Sequence, residues 1–253
     1  MKAGGWLNLA AAQLPVAASP GALLGAAAPL LVLAPHPDDE SLGCGALIAA
    51  CAAEGRAVRI LVVSDGRFSH PGSRRWPAPR LIALRAQETR QAVAALGLDP
   101  HRDLRFLGLP DRSVPAAGLA LEAACATIRD SLPTPPGAIL APWRHDPHCD
   151  HAATAAIASA LAAQWRARLL SYVVWGWAYT TPLPGFALGE EPEVTGPPRG
   201  WRFAATPWLA AKRRAIAAHR SQMTDLIDDD PTGFRLPDQA IALLTRPEEL
   251  YLA

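Results

Sequence analysis

The chain has 253 residues, half of them hydrophobic, which is enough for a well-buried domain. Lys and Arg number 24 against 23 Asp and Glu, so the net charge of +1 gives no electrostatic reason to expect a nucleic acid or an anionic membrane as partner. The four cysteines form no CxxC pair, which argues against a redox motif or a cysteine-rich zinc knuckle and favours a reducing, cytoplasmic location.

The first 28 residues precede the first predicted strand, and we interpret them as an N-terminal extension. Their Ala- and Leu-rich run resembles a signal peptide only loosely, because prolines and polar residues interrupt it and Lys2 is its single cation. No stretch reaches the roughly 18 uninterrupted apolar residues that a membrane-spanning helix needs. We therefore expect one domain over residues 1–253 and no transmembrane segment.

Strand-like and helix-like segments then alternate along the chain. The predicted strands cover residues 30–35, 57–63, 104–107, 138–141 and 170–178. The predicted helices cover residues 42–54, 80–96, 118–131, 151–165 and 207–221. Strand, helix and strand within about thirty residues is the pattern of a parallel βαβ unit. We predict an α/β, Rossmann-like three-layer fold with a mainly parallel twisted sheet and an active site at the C-terminal ends of the strands.

Two stretches interrupt this alternation. Residues 66–79 are rich in Arg, Gly, Pro and Ser, and residues 181–200 contain five prolines and four glycines. We predict loops for both, and loops of this length in compact domains are often functional lids or else disordered. The basic residues of the first loop, which would bind a phosphate or carboxylate or else be solvated, are Arg67, His70, Arg74 and Arg75.

A polar cluster, His36-Pro37-Asp38-Asp39-Glu40, follows the first predicted strand. Ligands of an open parallel sheet bind beyond the carboxyl ends of its strands. His36 and Asp39 are three residues apart, so a helical turn beginning at Pro37 would bring both side chains to one metal ion. Asp38 points elsewhere and is available to take a proton from water. A plain helix N-cap is also compatible with this run, since Asp caps helices well.

A second cluster, at residues 144–151, follows another predicted strand and holds three of the seven histidines. His148 and His151 have the spacing that places two imidazoles on one side of a turn. Asp146 and Asp150 can accept hydrogen bonds from imidazole N–H groups, which fixes their tautomer and charge. Both clusters leave parallel strands at the same edge of the sheet, so we expect them to form one site.

Together the clusters resemble the PIG-L/LmbE family of zinc N-deacetylases, whose members carry an (A/P)HPDDE motif and a later HxDH motif. The matching segments here are Ala-Pro-His-Pro-Asp-Asp-Glu at 34–40 and His-Cys-Asp-His at 148–151. Weaker matches, in the family's order, are Ser64-Asp65-Gly66, Arg85-x-x-Glu88, Leu107-Gly108-Leu109-Pro110-Asp111, Lys212 and His219-x-Ser221-Gln222. Cys149 stands where the family often has proline, so the backbone is less constrained there but no functional side chain is lost.

The resemblance implies one Zn²⁺ per chain, and its ligands would be His36, Asp39 and His151. The resemblance also makes Asp38 the general base. It makes His148 the cation that stabilises the oxyanion, and Asp150 or Asp146 would hold the His148 ring. Zinc with three protein ligands can lower the pKa of water from 15.7 to about 7, so that water can attack an amide near neutral pH. The residues that the resemblance assigns to substrate binding are Arg85, Asp111, His219 and Gln222.

The expected partner is an amino sugar or an amino-sugar conjugate, from which the protein removes an acetyl group; a homo-oligomer is compatible with the sequence. Trp175 and Trp177 alternate on a predicted strand, where they would pack in the core or stack on a sugar. Fe²⁺ or Co²⁺ could also occupy such a His and Asp site.

Three alternatives stay open. An amidase of the same family would remove a larger acyl group from a glycoside. A carbohydrate-binding relative would have no metal and no activity. A nucleotide-binding α/β module is the third, although neither GxGxxG nor GxxxxGK[ST] follows the first strand.

Overall fold

A computed structural model of the protein describes residues 1–25, 28–183 and 188–253. Within these ranges, the strands are β1 (Val16–Ala17), β2 (Leu30–Ala34), β3 (Val58–Ser64), β4 (Leu104–Leu109), β5 (Ala138–Pro142), β6 (Arg168–Tyr172), β7 (Gly200–Ala204) and β8 (Glu248–Leu252). They form one sheet in the order β1-β7-β8-β6-β5-β2-β3-β4. Strand β8 is antiparallel to both of its neighbours, and the other pairs are parallel.

Helices cover both faces of this sheet. They are α1 (Ala3–Gln13), α2 (Pro20–Leu24), α3 (Asp39–Ala53), α4 (Ala78–Ala95), α5 (Pro100–Asp103), α6 (Gly118–Asp130), α7 (Cys149–Trp165), α8 (Leu209–Ala218), α9 (Arg220–Met223) and α10 (Asp238–Leu244). Successive strand residues point to opposite faces, so Leu31 and Leu33 pack with α6 and α7 while Leu30 and Val32 pack with α3 and α4. The predicted three-layer, mainly parallel α/β fold is confirmed.

The predicted strand 170–178 is wrong in its second half, because β6 ends at Tyr172. The residues after β6 form a 3-10 turn, Trp175–Tyr179, because the carboxylate of Asp146 binds their backbone. It accepts hydrogen bonds of 2.7 to 3.1 Å from the backbone N–H groups of Val174, Trp175 and Gly176. The two tryptophans of this turn therefore do not share the face of a strand.

The predicted helix 207–221 is interrupted. A 3-10 turn precedes α8, and the backbone leaves the helical region at His219, with φ −79° and ψ 61°. Glu88 supplies the physical reason. Its carboxylate accepts a hydrogen bond of 2.7 Å from the backbone N–H of Ser221 and one of 2.6 Å from the Ser221 hydroxyl. These bonds replace the helical ones that a continuous helix would form.

The N-terminal segment contributes a helix that the sequence patterns did not predict. Helix α1 buries Trp6, whose ring stacks on Trp143 with centroids 5.9 Å apart. Lys2 forms a β-bridge with Glu193. In the described part of the chain, no helix combines the length and the apolar character that crossing a membrane requires.

The first predicted loop ends at Pro77, because α4 begins at Ala78, and the loop contacts residues 228–230. Part of the second predicted loop, residues 184–187, lies outside the described residues. Its last residue, Gly200, opens β7, with a φ of 141°. A side chain there would overlap the backbone of Tyr251 on the neighbouring strand, so glycine is required.

Candidate metal and active site

The two sequence clusters meet at the C-terminal edge of the central strands. His36 follows β2, and the run from Asp146 to His151 follows β5, which is the neighbour of β2 in the sheet. Asp111 follows β4, which lies two strands from β2 on the side away from β5, and it is at the same C-terminal edge of the sheet. The rings of His36 and His151 have centroids 5.5 Å apart, so the prediction that the clusters come together agrees with the geometry.

Two imidazole nitrogens lie close to one carboxylate oxygen. The Nδ1 atom of His36 and the Nε2 atom of His151 each lie 3.3 Å from Oδ2 of Asp39. Burial would raise the pKa of Asp39, but the charge and hydrogen bonds of the two histidines hold it well below its ordinary value. Asp39 is therefore a carboxylate, and the three side chains form a compact donor set.

Carboxylates also orient the far side of each ring. The Nδ1 atom of His151 lies 3.0 Å from Oδ2 of Asp146. The Nε2 atom of His36 lies 3.2 Å from Asp150 and 3.3 Å from Asp111. Such carboxylate contacts fix the tautomer of a metal-binding histidine and raise its basicity.

The donor set fits a zinc ion. Two nitrogens and a carboxylate oxygen are a known catalytic zinc ligand combination. Within the described residues, Nε2 of His151 and Oδ1 of Asp39 are buried without a hydrogen-bond partner, as ligand atoms would be. Nitrogens of His36, His148 and His151 also lie within 4.8 Å of one another, so His148 borders the same space.

Asp38 has an unusual backbone, with φ 149° and ψ −27°. Its carboxylate accepts a hydrogen bond of 2.9 Å from Nη2 of Arg85. Burial raises the pKa of Asp38 to about 6, although the charge of Arg85 acts in the opposite direction. A carboxylate with this pKa, at a cavity wall, suits a proton acceptor near neutral pH.

His148 forms the N-cap of α7, and its Nδ1 accepts a hydrogen bond of 3.2 Å from the backbone N–H of Asp150. The expectation that the Asp150 or Asp146 carboxylate holds His148 differs from the structure, because those carboxylates bind His36 and His151. Burial, with the nearby charges of His36 and His151, lowers the pKa of His148 to about 4.

The residues expected to bind substrate occupy different places. Gln222, Asp111 and Arg85 line the cavity beside the donor set. Arg85 already binds Asp38, the carbonyl of Pro37 and the carbonyl of Gly66. His219 is fully buried behind the wall, where its Nε2 lies 3.3 Å from Glu40. The prediction that His219 contacts the substrate is therefore wrong, because this structure buries the residue away from the cavity.

The cavity has a volume of about 170 Å³. Its lining also includes side chains that the sequence patterns did not single out, namely Phe68, Ser69, Arg112 and Phe234. The first three lie one to three residues after Gly66 or Asp111, beyond the ends of two strands, and this position could have indicated them. Phe234 comes from a distant segment and packs edge-on against Trp175, with ring centroids 5.6 Å apart.

Three of the four basic residues of the first loop contact other groups. Arg67 pairs with Asp65, and Arg75 pairs with Asp228. His70 is buried against Gly233. In the described part of the chain, the cavity lining includes none of the four basic residues of this loop, so the proposed anion contact has no support from the geometry.

A model of the PIG-L family, described as GlcNAc-PI de-N-acetylase, matches residues 31–162. The 1D-myo-inositol 2-acetamido-2-deoxy-alpha-D-glucopyranoside deacetylase of Actinosynnema mirum is 40% identical over 85 residues, which are 31% of this chain and 29% of that protein. The 2'-N-acetylparomamine deacetylase of Streptomyces fradiae is 29% identical over 137 residues, covering 48% of this chain and 47% of that protein. The matches therefore span less than half the length of these relatives.

Solved structures show the same fold. The N,N'-diacetylchitobiose deacetylase from Pyrococcus horikoshii has a TM-score of 0.60 and 21% identity, over 78% of this chain and 72% of that chain. A conserved protein from Thermus thermophilus has a TM-score of 0.61 and 24% identity, over 88% of this chain and 93% of that chain. At these identities, the likeness concerns the fold alone.

Proposed function

Since the chain belongs to the PIG-L de-N-acetylase family, we propose that it is a zinc-dependent hydrolase that removes an N-acetyl group from an amino sugar or an amino-sugar conjugate. The observation that carries this proposal is the convergence of His36, Asp39 and His151 beside Asp38, at the wall of a cavity. The named activities of the relatives from Actinosynnema mirum and Streptomyces fradiae support the substrate class. A cytoplasmic location is part of the same proposal.

His36, Asp39 and His151 would hold the metal, with Asp146 and Asp150 orienting the two imidazoles. When bound, zinc supplies positive charge that acidifies a water and polarises the amide carbonyl. The protein's own groups then have two tasks, which are to take a proton from the attacking water and to stabilise the oxyanion that develops.

Asp38 is suited to the first task. With a pKa of about 6, it is mostly ionised near neutral pH and still basic enough to accept a proton in the transition state. Arg85 holds the carboxylate in place through its 2.9 Å hydrogen bond. The departing amine also needs a proton, and a protonated Asp38 can return the one it received.

His148 is suited to the second task as a neutral ring. Its Nδ1 accepts the N–H of Asp150, so the proton of the neutral tautomer lies on Nε2. A neutral N–H at the cavity wall can donate to the developing oxyanion, and removing such a donor typically costs about 10²–10³ in kcat. The lowered pKa therefore changes the expected charge of His148, while its proposed role as oxyanion donor remains.

The experiment measures amine release from N-acetylated sugars by zinc-loaded protein, using free, nucleotide-linked, lipid-linked and aglycone-bearing forms. We expect Asp38→Asn to retain about one zinc per chain and to lose about 10²–10⁴ of kcat. Asp39→Ala and His151→Ala should lose the zinc itself. Zinc loss in Asp38→Asn, or full activity of His151→Ala, would contradict the assignment.

A second candidate function is removal of a larger acyl group from a glycoside. It is favoured by the apolar wall that Phe68, Trp175 and Phe234 contribute to the cavity. A series of N-acyl sugars from acetyl to octanoyl separates the two candidates, because each added methylene is worth up to about 10–200-fold in kcat/KM where a pocket receives it. A preference for long chains that disappears in Trp175→Ala would establish the second candidate.

A further inference from the structure

Glu40 is a buried carboxylate that the proposed chemistry does not use. It is fully buried, and it is not among the described residues that line the cavity. Its Oε2 accepts a hydrogen bond of 3.2 Å from the backbone N–H of Asp38, and its Oε1 accepts one of 2.7 Å from the hydroxyl of Ser41. Burying a carboxylate is costly, so these contacts require an explanation.

The backbone of Asp38 supplies the first part of that explanation. Its φ of 149° lies in a region that residues with a side chain rarely adopt. Such a conformation persists only where surrounding groups hold it. Three groups do so, since Glu40 accepts the N–H while Ser41 and Leu42 each donate their N–H to the Asp38 carbonyl, at 2.9 Å.

His219 supplies the second part. It lies at the break between α8 and α9, and its Nε2 lies 3.3 Å from Oε1 of Glu40. Glu88 enforces the break through its two hydrogen bonds to Ser221. The bonds between Glu88 and Ser221 therefore fix the position of His219. The contact between His219 and Glu40 in turn fixes the Glu40 carboxylate.

We propose that Glu40 and His219 form a positioning pair that holds the backbone of Asp38 in its unusual conformation, so that the Asp38 carboxylate faces both the cavity and Arg85. This inference rests on the proposed role of Asp38 as the proton acceptor. The pair acts through Asp38 and touches neither the substrate nor the metal donor set. It makes the late His-x-Ser-Gln segment a part of the active-site support.

The test uses the zinc-loaded protein and four single variants. Glu40→Ala removes the acceptor and should lower kcat about 100-fold, the scale of a misplaced catalytic group, with KM changed less than about threefold and zinc content unchanged. Glu40→Gln keeps an oxygen for the Asp38 N–H, and we expect a loss of only about tenfold. His219→Leu should resemble Glu40→Gln, and His219→Gln, whose amide can still donate to Glu40, should recover most of the activity.

A double variant distinguishes a pair from two separate effects. Glu40→Ala combined with His219→Leu should be no slower than Glu40→Ala alone, because His219 acts only through Glu40. Asp103→Asn is the matched control, since Asp103 is also a buried carboxylate that accepts a backbone N–H, but it lies far from the cavity. It should lower the melting temperature without changing kcat. Additive losses in the double variant, or an unchanged kcat in Glu40→Ala, would overturn the proposal.

A structural measurement keeps this inference separate from the proposed function. Crystal structures of the zinc-loaded wild type and Glu40→Ala should show the Asp38 carboxylate displaced in the variant, with His36 and Asp39 unmoved. If no amino sugar is turned over, that displacement would still support the positioning pair, while the proposed reaction would fail. An unmoved Asp38 in Glu40→Ala, or loss of zinc from that variant, would overturn the pair whatever the activity.

Discussion

At the scale of single residues, Asp146 connects the metal donor set to the cavity wall. One of its carboxylate oxygens binds Nδ1 of His151 at 3.0 Å. The same carboxylate organises the turn that carries Trp175, through its hydrogen bonds to three backbone N–H groups. One buried side chain therefore fixes both the tautomer of a proposed ligand and the position of a lining aromatic residue.

We expect Asp146→Asn to weaken zinc binding by about 10–100-fold, because the amide cannot raise the basicity of His151 as a carboxylate does. Competition with a chromophoric chelator measures the affinity. Asp130→Asn changes an exposed aspartate on α6 in the same way and should leave the affinity unchanged. An Asp146→Asn protein with wild-type zinc affinity would show that this carboxylate serves the turn alone.

At the scale of elements, α3 approaches β6 so closely that only glycine fits between them. A side chain at Gly43 would overlap the ring of Tyr172, which is fully buried and donates a hydrogen bond of 2.8 Å to the carbonyl of Leu33. The helix also departs from helical geometry at Cys44, with φ −143°. The approach brings the N-terminal turn of α3, with Asp39, against the strand ends.

Gly43→Ala should lower the free energy of unfolding by about 1–3 kcal/mol, the usual cost of overpacking a core, and urea denaturation measures it. The control is Gly5→Ala on α1, where a new methyl group would meet only the flexible side chain of Met1, at 3.6 Å. We expect that change to raise the stability by roughly 0.5–1 kcal/mol, because glycine is a poor helix former. Equal effects of the two changes would refute the close-approach argument.

Asp229 links the first predicted loop, residues 66–77, to the segment of residues 228–230. Its carboxylate accepts hydrogen bonds from the Ser73 hydroxyl at 2.7 Å and from the backbone N–H groups of Arg74 and Arg75, each at 2.9 Å. The bonds from Ser73 and Arg75 hold the pKa of Asp229 at about 2, below its ordinary value. Because the folded pKa is depressed, this contact stabilises the fold above the unfolded pKa and is lost as the pH falls through the folded pKa.

Protection of the Arg74 and Arg75 amides against hydrogen exchange should therefore fall as the pH drops from about 4 to about 2. Exchange rates, corrected for their intrinsic pH dependence, measure it. Asp229→Asn should show weak protection already at neutral pH, with little further change on acidification. If the variant and the wild type lost protection over the same pH range, another group would be holding the loop.

At the scale of the whole molecule, one buried ion pair joins three distant parts of the chain. Lys212 on α8 donates to Oε1 of Glu249 on β8 at 2.8 Å. Glu249 also accepts the backbone N–H groups of Ala46 and Leu47 on α3, at 2.8 and 2.9 Å, just after the departure from helical geometry at Cys44. The last strand is thereby tied to the helix that begins at Asp39.

Lys212→Met should cost about 3–5 kcal/mol of unfolding free energy, because it leaves the Glu249 charge buried without its counter-ion. Arg213→Met alters the next residue of the same helix, which is exposed, and should stay within about 0.5 kcal/mol of wild type. Urea denaturation of both proteins measures the difference. A small effect of Lys212→Met would mean that the hydrogen bonds from α3 suffice for Glu249.

The sequence by itself determined the α/β class, most of the central strands and helices, and the two polar clusters at one edge of the sheet. These features are local, since apolar runs and glycine stops are set by neighbouring residues, and parallel strands share one C-terminal edge. The family resemblance rested on the same short motifs. The family match over residues 31–162 agrees with it.

Only the tertiary structure decided which carboxylate serves which histidine, where β6 and α8 end, and what lies behind the cavity. Asp146 ends β6 from the segment that follows β5, and Glu88 interrupts the last long helix from α4. Glu40 contacts His219 across 179 positions of sequence. Hydrogen bonds between distant residues leave no periodic trace in the chain, because their partners are chosen by packing rather than by sequence spacing. The family resemblance assigned His219 to substrate binding, whereas in the folded protein this residue is buried against Glu40.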